Sequence, residues 1–138
     1  MQHHTCPEEA ARTTVLVAED DDDMRAMVVG ALRLDGYHVI EARDGVELLA
    51  MLSDPQSVPS TCPTVVVADV GMPRLSGLAV LEELRREQNM VPIVIITGLA
   101  SKSVRILAKR LGAMGVFKKP FDLDDLRTAV MNAQRWQT

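Results

Sequence analysis

Aromatic side chains are nearly missing from this sequence of 138 residues: Tyr37, Phe117, Phe121 and Trp136 are the whole set. A core built from it has to be aliphatic, and at 47% hydrophobic residues there is enough Val, Leu, Ile, Ala and Met to bury one without staples. Positive charge is in short supply too. The net charge of −4 argues against non-specific affinity for DNA or RNA, which draws on an excess of Lys and Arg. The two cysteines, Cys6 and Cys62, share no metal-ligand spacing, and a reduced, cytoplasmic setting is the simpler reading. No apolar run approaches the roughly 18 residues that a membrane span requires. The opening stretch MQHHTCPEEAAR lacks the apolar segment of a signal peptide and reads as a frayed tail, His3 and His4 included. Several catalytic sets are absent as well. There is no Ser–His–Asp combination and no P-loop, His38 falls in an edge strand, and Gly112 to Gly115 is too short and badly placed for a dinucleotide loop.

What is present is a rhythm of short apolar runs and helical patterns. TTVLVA (Thr13–Ala18) is β-branched and continuous, as in a strand buried on both faces. Met24, Met27, Val28, Ala31 and Leu32 then recur at helical spacing, with Asp22 or Asp23 as cap and Gly36 as stop. YHVIEA (Tyr37–Ala42) alternates like a strand, and Asp44 can cap a helix running through Leu52. SDPQSVPSTCP (Ser53–Pro63) is a surface loop, longer than most. TVVVAD (Thr64–Asp69) is a third strand, and Ser76 can cap a helix carrying Leu78, Leu81 and Leu84. VPIVIIT (Val91–Thr97), a helix marked by Val104, Leu107, Ala108 and Leu111 and closed by Gly112, GVFK (Gly115–Lys118), and a helix capped by Asp122 and Asp125 that buries Leu123, Leu126 and Val130 complete the chain. Five β-α units in succession predict a parallel, doubly wound sheet with five helices on its two faces. One such arrangement has strand order 2-1-3-4-5, with the first and third strands as neighbours and ligands outside the carboxyl ends of the strands at that switch point.

The strand ends carry the chemistry. VLVAEDDDDM drives four apolar residues into five carboxylates, Glu19 to Asp23, far more negative charge than a surface loop needs. The third strand ends in Asp69, the fourth in Thr97, and the fifth is followed by Lys119 and Pro120. Singly, each residue has an ordinary structural explanation: acids cap helices, threonine suits strands and lysines are solvated. Together they form a chemical set. Clustered carboxylates raise one another's pKa unless a cation is present, and hard oxygen donors at a watery rim suit Mg²⁺. A carboxylate placed there can act as a nucleophile on phosphorus, with lysine supplying positive charge to the phosphoryl oxygens.

The four stretches VLVAEDDDDMR, VVVADVGMPRLSGL, IVIITG and GVFKKPF resemble, in order and at the right strand ends, the signatures of response-regulator receiver domains of two-component signalling, over about Thr13 to Ala133. The resemblance implies a flavodoxin-like fold and an aspartyl phosphate formed on Asp69 from a sensor histidine kinase. It implies Mg²⁺ held by Glu19, Asp20, Asp69 and the backbone carbonyl of Gly71. It places the switching hydroxyl at Thr97, the phosphate-binding lysine at Lys119 and a cis bond before Pro120. There are departures. Glu19 stands where aspartate is also common, its longer arm able to reach a metal through water. Val116 replaces the aromatic that often swings inward. Gly71 and Leu99 offer no polar side chain near an attacking water, so slow self-dephosphorylation is expected.

On this reading residues 1–12 are a tail, 13–134 the receiver domain and 135–138 a second tail, with Trp136 packing on the domain. Phosphorylation is expected to change the surface of the fourth helix, fifth strand and fifth helix. That surface would control a downstream protein target or effector domain, with a phosphorylation-dependent dimer as one outcome, and no direct contact with nucleic acid or membrane. Since no effector follows, a stand-alone switch and a piece of a larger regulator or hybrid kinase both stay open. Two rivals stand beside the switch. A Mg²⁺-dependent phosphohydrolase would want a second acid where Gly71 lies, and a receiver-like binding module would never be phosphorylated.

Overall fold

The computed structural model describes residues 13–58 and 63–135; His3, His4, Cys6, Cys62 and Trp136 lie outside them. The chain order is β1 (Thr14–Ala18), α1 (Asp22–Leu34), β2 (His38–Ala42), α2 (Gly45–Leu52), β3 (Thr64–Asp69), α3 (Gly77–Arg86), β4 (Ile93–Thr97), α4 (Lys102–Arg110), β5 (Gly115–Lys118) and α5 (Leu123–Arg135). The strands form one sheet in the order β2-β1-β3-β4-β5, every pairing parallel, as the alternation of elements predicts.

Side chains alternate across the strands, and the two faces of the sheet bury two separate aliphatic cores. On one face Val15, Val17, Val65, Val67, Val94 and Ile96 meet Val28, Val29 and Leu32 of α1 and Leu126, Val130 and Ala133 of α5. On the other, Leu16, Ala18, Val66, Ala68, Ile93 and Ile95 meet Leu48 of α2 and Val80, Leu81 and Leu84 of α3. β1, β3 and β4 are buried along their whole length, which is why their sequences are continuous rather than alternating. Each fully buried Leu or Ile contributes about 1.5–3 kcal/mol. By contrast α4 buries only Ala108 among its residues, leaving Ile106 and Leu107 about two-fifths exposed.

The helix starts follow from local chemistry, with one correction. Asp44, Ser76 and Ser101 accept the N–H of Glu47, Ala79 and Val104 and cap α2, α3 and α4. At α1 the cap is Asp21, whose Oδ1 accepts the Met24 N–H at 2.9 Å, and Asp22 and Asp23 are the first helical residues. The helix therefore begins one residue earlier than a cap at Asp22 would allow. Its buried stripe is also rotated: Arg25 and Val29 face inward while Met27 is 45% exposed. Tyr37, Val91 and Pro92 lie just outside the strands to which the pattern assigns them.

Candidate functional site

Parallel register brings four strand ends to one edge. Ala18 pairs with Ala68, so the next residues, Glu19 and Asp69, leave β1 and β3 side by side. Asp69 pairs with Ile96, which places Thr97 one step beyond it, and Thr97 pairs with Lys118, which places Lys119 one step further again. The Lys119 N–H closes the edge by donating to the Thr97 carbonyl at 2.7 Å, and the Lys119–Pro120 bond is cis. The edge strand β2 ends at Ala42 without a comparable group.

The side chains then converge. Asp69 is 4% exposed; its Oδ1 accepts the Gly71 N–H at 3.0 Å and its Oδ2 accepts Lys119 Nζ at 3.0 Å. Glu19 is fully buried, its Oε2 accepting the Asp21 N–H at 3.1 Å and its Oε1 lying 2.7 Å from Lys119 Nζ. One ammonium thus serves two buried carboxylates. Asp20 stands at the exposed lip, and one oxygen from each of Glu19, Asp20 and Asp69 falls within 4.8 Å of the others. Thr97 is 2% exposed, and its Oγ1 accepts the Leu99 N–H at 3.0 Å, which leaves the hydroxyl proton free to donate elsewhere. Val116 is partly buried against the core on the α2–α3 face.

The electrostatics follow from this crowding. Burial pushes the Glu19 carboxyl up to about 7, opposed by Lys119 and the Asp21 N–H and reinforced by the neighbouring Asp69. Burial would lower Lys119, but Glu19 and Asp69 more than reverse that and hold it above its ordinary value. The donor set suits a hard divalent cation. Glu19 Oε1 is buried and accepts no aligned hydrogen bond, its close partner being the Lys119 ammonium at 2.7 Å, and the Glu19 carboxylate belongs to the acidic cluster. Three carboxylate oxygens beside a solvent-facing lip match Mg²⁺, which retains several waters.

Two glycines hold Asp69 in place, and the sequence signals them only by their position after a helix cap. A Cβ on Gly77 would lie 2.7 Å from the Asp69 carbonyl oxygen, so α3 starts against the backbone of Asp69 itself. A Cβ on Gly45 would collide with the Leu75 carbonyl, so α2 starts against the β3–α3 loop. That loop is further tied by Arg74, whose Nε and Nη2 donate to Asp44 Oδ2 at 3.0 and 2.7 Å. Arg25, whose Nη1 donates to the Glu19 carbonyl at 2.8 Å, is the other contributor that residue patterns do not reveal.

A doubly wound sheet with a buried carboxylate, an acidic lip and a lysine at its switch point defines the receiver class of α/β domain. The response regulator receiver domain family matches residues 15–131, and the chain belongs to that family, a module of two-component signalling. Response regulator MprA of Mycobacterium sp. (strain KMS) is 38% identical over 112 residues, covering 81% of this chain and 46% of that protein. Regulatory protein AtoC of Escherichia coli (strain K12) is 32% identical over 124 residues, covering 90% of this chain and 26% of that protein. Among solved structures, the receiver domain of Francisella response regulator 1452 superposes with a TM-score of 0.80 at 27% identity, over 91% of this chain and 98% of that one. The chain thus spans half or less of the length of these curated relatives. No helix among the described residues is long and apolar enough to cross a membrane.

Proposed function

We propose that this receiver domain is a phosphorylation-driven switch in which Asp69 takes a phosphoryl group from a phosphohistidine of a sensor kinase. The observation that carries the reading is the convergence of Asp69, Glu19, Asp20 and Lys119 from three separate strand ends onto one edge. In the transfer, a carboxylate oxygen of Asp69 forms the new O–P bond as the donor's P–N bond breaks. The imidazole nitrogen leaves with the electron pair and takes a proton. Mg²⁺, when bound by Glu19, Asp20, Asp69 and the Gly71 carbonyl, would supply positive charge to the phosphoryl oxygens. Lys119 already faces Asp69 at 3.0 Å and is positioned to hold a phosphoryl oxygen.

The product places roughly −1.5 to −2 charges on a side chain that carried one. The free hydroxyl proton of Thr97 is the nearest switchable donor on β4. Because Thr97 Oγ1 also accepts the Leu99 N–H, turning that hydroxyl toward phosphate moves or releases the loop entering α4. The shallow attachment of α4, with only Ala108 buried, makes it the element whose population such a change shifts at least cost. Its face, with β5 and α5, is the output surface toward a downstream protein or effector domain. A sensor kinase that phosphorylates it would do so in the cytoplasm. With Gly71 in place of a polar residue, loss of the phosphate is slow.

Intact mass after incubation with Mg²⁺ and a small phosphodonor tests the reading. The parent is expected to gain one phosphoryl group, and Asp69→Ala none. No gain in the parent contradicts it and favours an unphosphorylated binding module; steady release of phosphate over many turnovers favours a hydrolase.

A further inference from the structure

We propose that Arg25 is a positioning residue for the cation site: it fixes the turn that presents Glu19 and Asp20 without touching any site carboxylate. Arg25 sits in the first turn of α1 and is only 8% exposed. A buried guanidinium persists only when its donors are satisfied, and its bonds show what it organises. Nη1 donates to the Glu19 backbone carbonyl at 2.8 Å, Nη2 to Asp22 Oδ1 at 2.6 Å and Nε to Glu41 Oε1 at 3.0 Å. The first bond grips the peptide unit between Glu19 and Asp20, the two residues whose carboxylates, one buried and one exposed, join the acidic cluster. The second anchors the same guanidinium to its own helix start, and the third to the edge strand β2. Arg25 therefore joins the β1–α1 turn to two neighbouring elements through one planar fork. None of its hydrogen bonds goes to the carboxylates of Glu19, Asp20 or Asp69.

Electrostatics and positioning make opposite predictions here. Removing Arg25 deletes a positive charge near a cation site, takes the guanidinium from Asp22 and leaves Glu41 only its longer pairing with Arg33 at 3.8 Å. Charge alone would then tighten Mg²⁺. If Arg25 acts by holding the turn, its loss weakens Mg²⁺ although the surroundings become more negative. Groups that orient metal ligands from outside typically account for 10–100-fold in affinity.

The inference rests on the Mg²⁺ reading of the site, so the experiment includes Asp20→Asn as the marker of that reading. Mg²⁺ affinity is measured by calorimetric titration, and Mn²⁺ affinity by electron paramagnetic resonance, for the parent, Asp20→Asn, Arg25→Met and Arg25→Lys. Metal-free melting curves report on folding. Arg25→Met is expected to fold and to bind Mg²⁺ about tenfold more weakly. Its phosphorylation rate is expected to need correspondingly more Mg²⁺ for half-saturation while reaching nearly the parent's plateau, a split that general destabilisation would not produce. Arg25→Lys, which keeps the charge but not the fork, is expected to fall between. A folded Arg25→Met with parental or tighter Mg²⁺ affinity overturns the inference. If Arg25→Met does not fold, Arg25→Lys decides, and parental affinity there overturns it equally. A parent that shows no saturable Mg²⁺ binding sensitive to Asp20→Asn would instead overturn the reading of the site, and the inference with it.

Discussion

At the scale of single residues, the site crowds three acidic side chains together. Lys119 neutralises part of it, bridging Glu19 and Asp69, but Asp20 adds a third carboxylate within 4.8 Å. Two unit charges at that spacing repel by about 1 kcal/mol in water-like surroundings. Asp20→Asn is therefore expected to raise the stability of the metal-free protein by up to about 1 kcal/mol, while Mg²⁺ stabilises the parent more than the variant. Thermal melts in chelator and in Mg²⁺ check both signs; a variant less stable than the parent in chelator would contradict the account. These site residues are legible in the sequence because each ends a continuous β-branched run, and parallel strands present their ends together. Arg25, Gly45 and Gly77 are not, because their importance lies in contacts with a carbonyl of another element, and no spacing rule encodes that.

At the scale of elements, what matters is how closely helices start against the site. The Gly77 position has no room for a methyl group: an added Cβ would meet the Asp69 carbonyl oxygen at 2.7 Å, a backbone atom that cannot swing aside. Gly77→Ala is expected to lose about 1–3 kcal/mol, the usual cost of overpacking, and to slow labelling of Asp69 by shifting its backbone. Gly30, exposed within α1 with nothing within 4 Å of an added Cβ, is the control. Gly30→Ala is expected to gain up to about 1 kcal/mol through helix propensity. Denaturant melts of both variants distinguish a steric from a general intolerance of alanine; equal responses would contradict the close approach. Element type and order were readable because three strands are buried on both faces and four helices carry side-chain caps. The phase of α1 was harder. Met27 and Val29 are both apolar, so spacing alone does not say which faces the core; in the fold Val29 is buried beside Arg25, whose guanidinium bonds the Glu19 carbonyl and Glu41.

At the scale of the molecule, the α1–α5 side of the sheet is tied at the surface by Asp35 and Arg127. Arg127 Nε and Nη2 donate to the Asp35 carboxylate at 2.8 and 2.6 Å. Those bonds hold Asp35 below its ordinary 3.8. The pair therefore adds stability at pH above that value and loses it as the pH falls through the lower folded-state value. Asp35→Asn is expected to be less stable than the parent at neutral pH, with the gap closing in acid; a gap independent of pH would contradict the ion pair. On the α4 side the tie is to backbone: Arg85 of α3 donates to the carbonyl of Leu111, the residue that ends α4, at 2.7 Å, while within α4 only Ala108 is buried. The strand order and the convergence at the switch point could be anticipated from five alternating units. The shallow burial of α4 could not, because Leu107 reads as core by spacing yet is 40% exposed.

The most direct measurement is to locate the acyl phosphate itself. The protein is incubated with a small phosphodonor, with Mg²⁺ or with chelator, then trapped by hydride reduction of the acyl phosphate and mapped by peptide mass. The account predicts a reduced residue at Asp69, formed only with Mg²⁺ and absent from neighbouring Glu19, Asp20 and Asp21. A label on another carboxylate, or equal labelling of Asp69 in chelator, would contradict it.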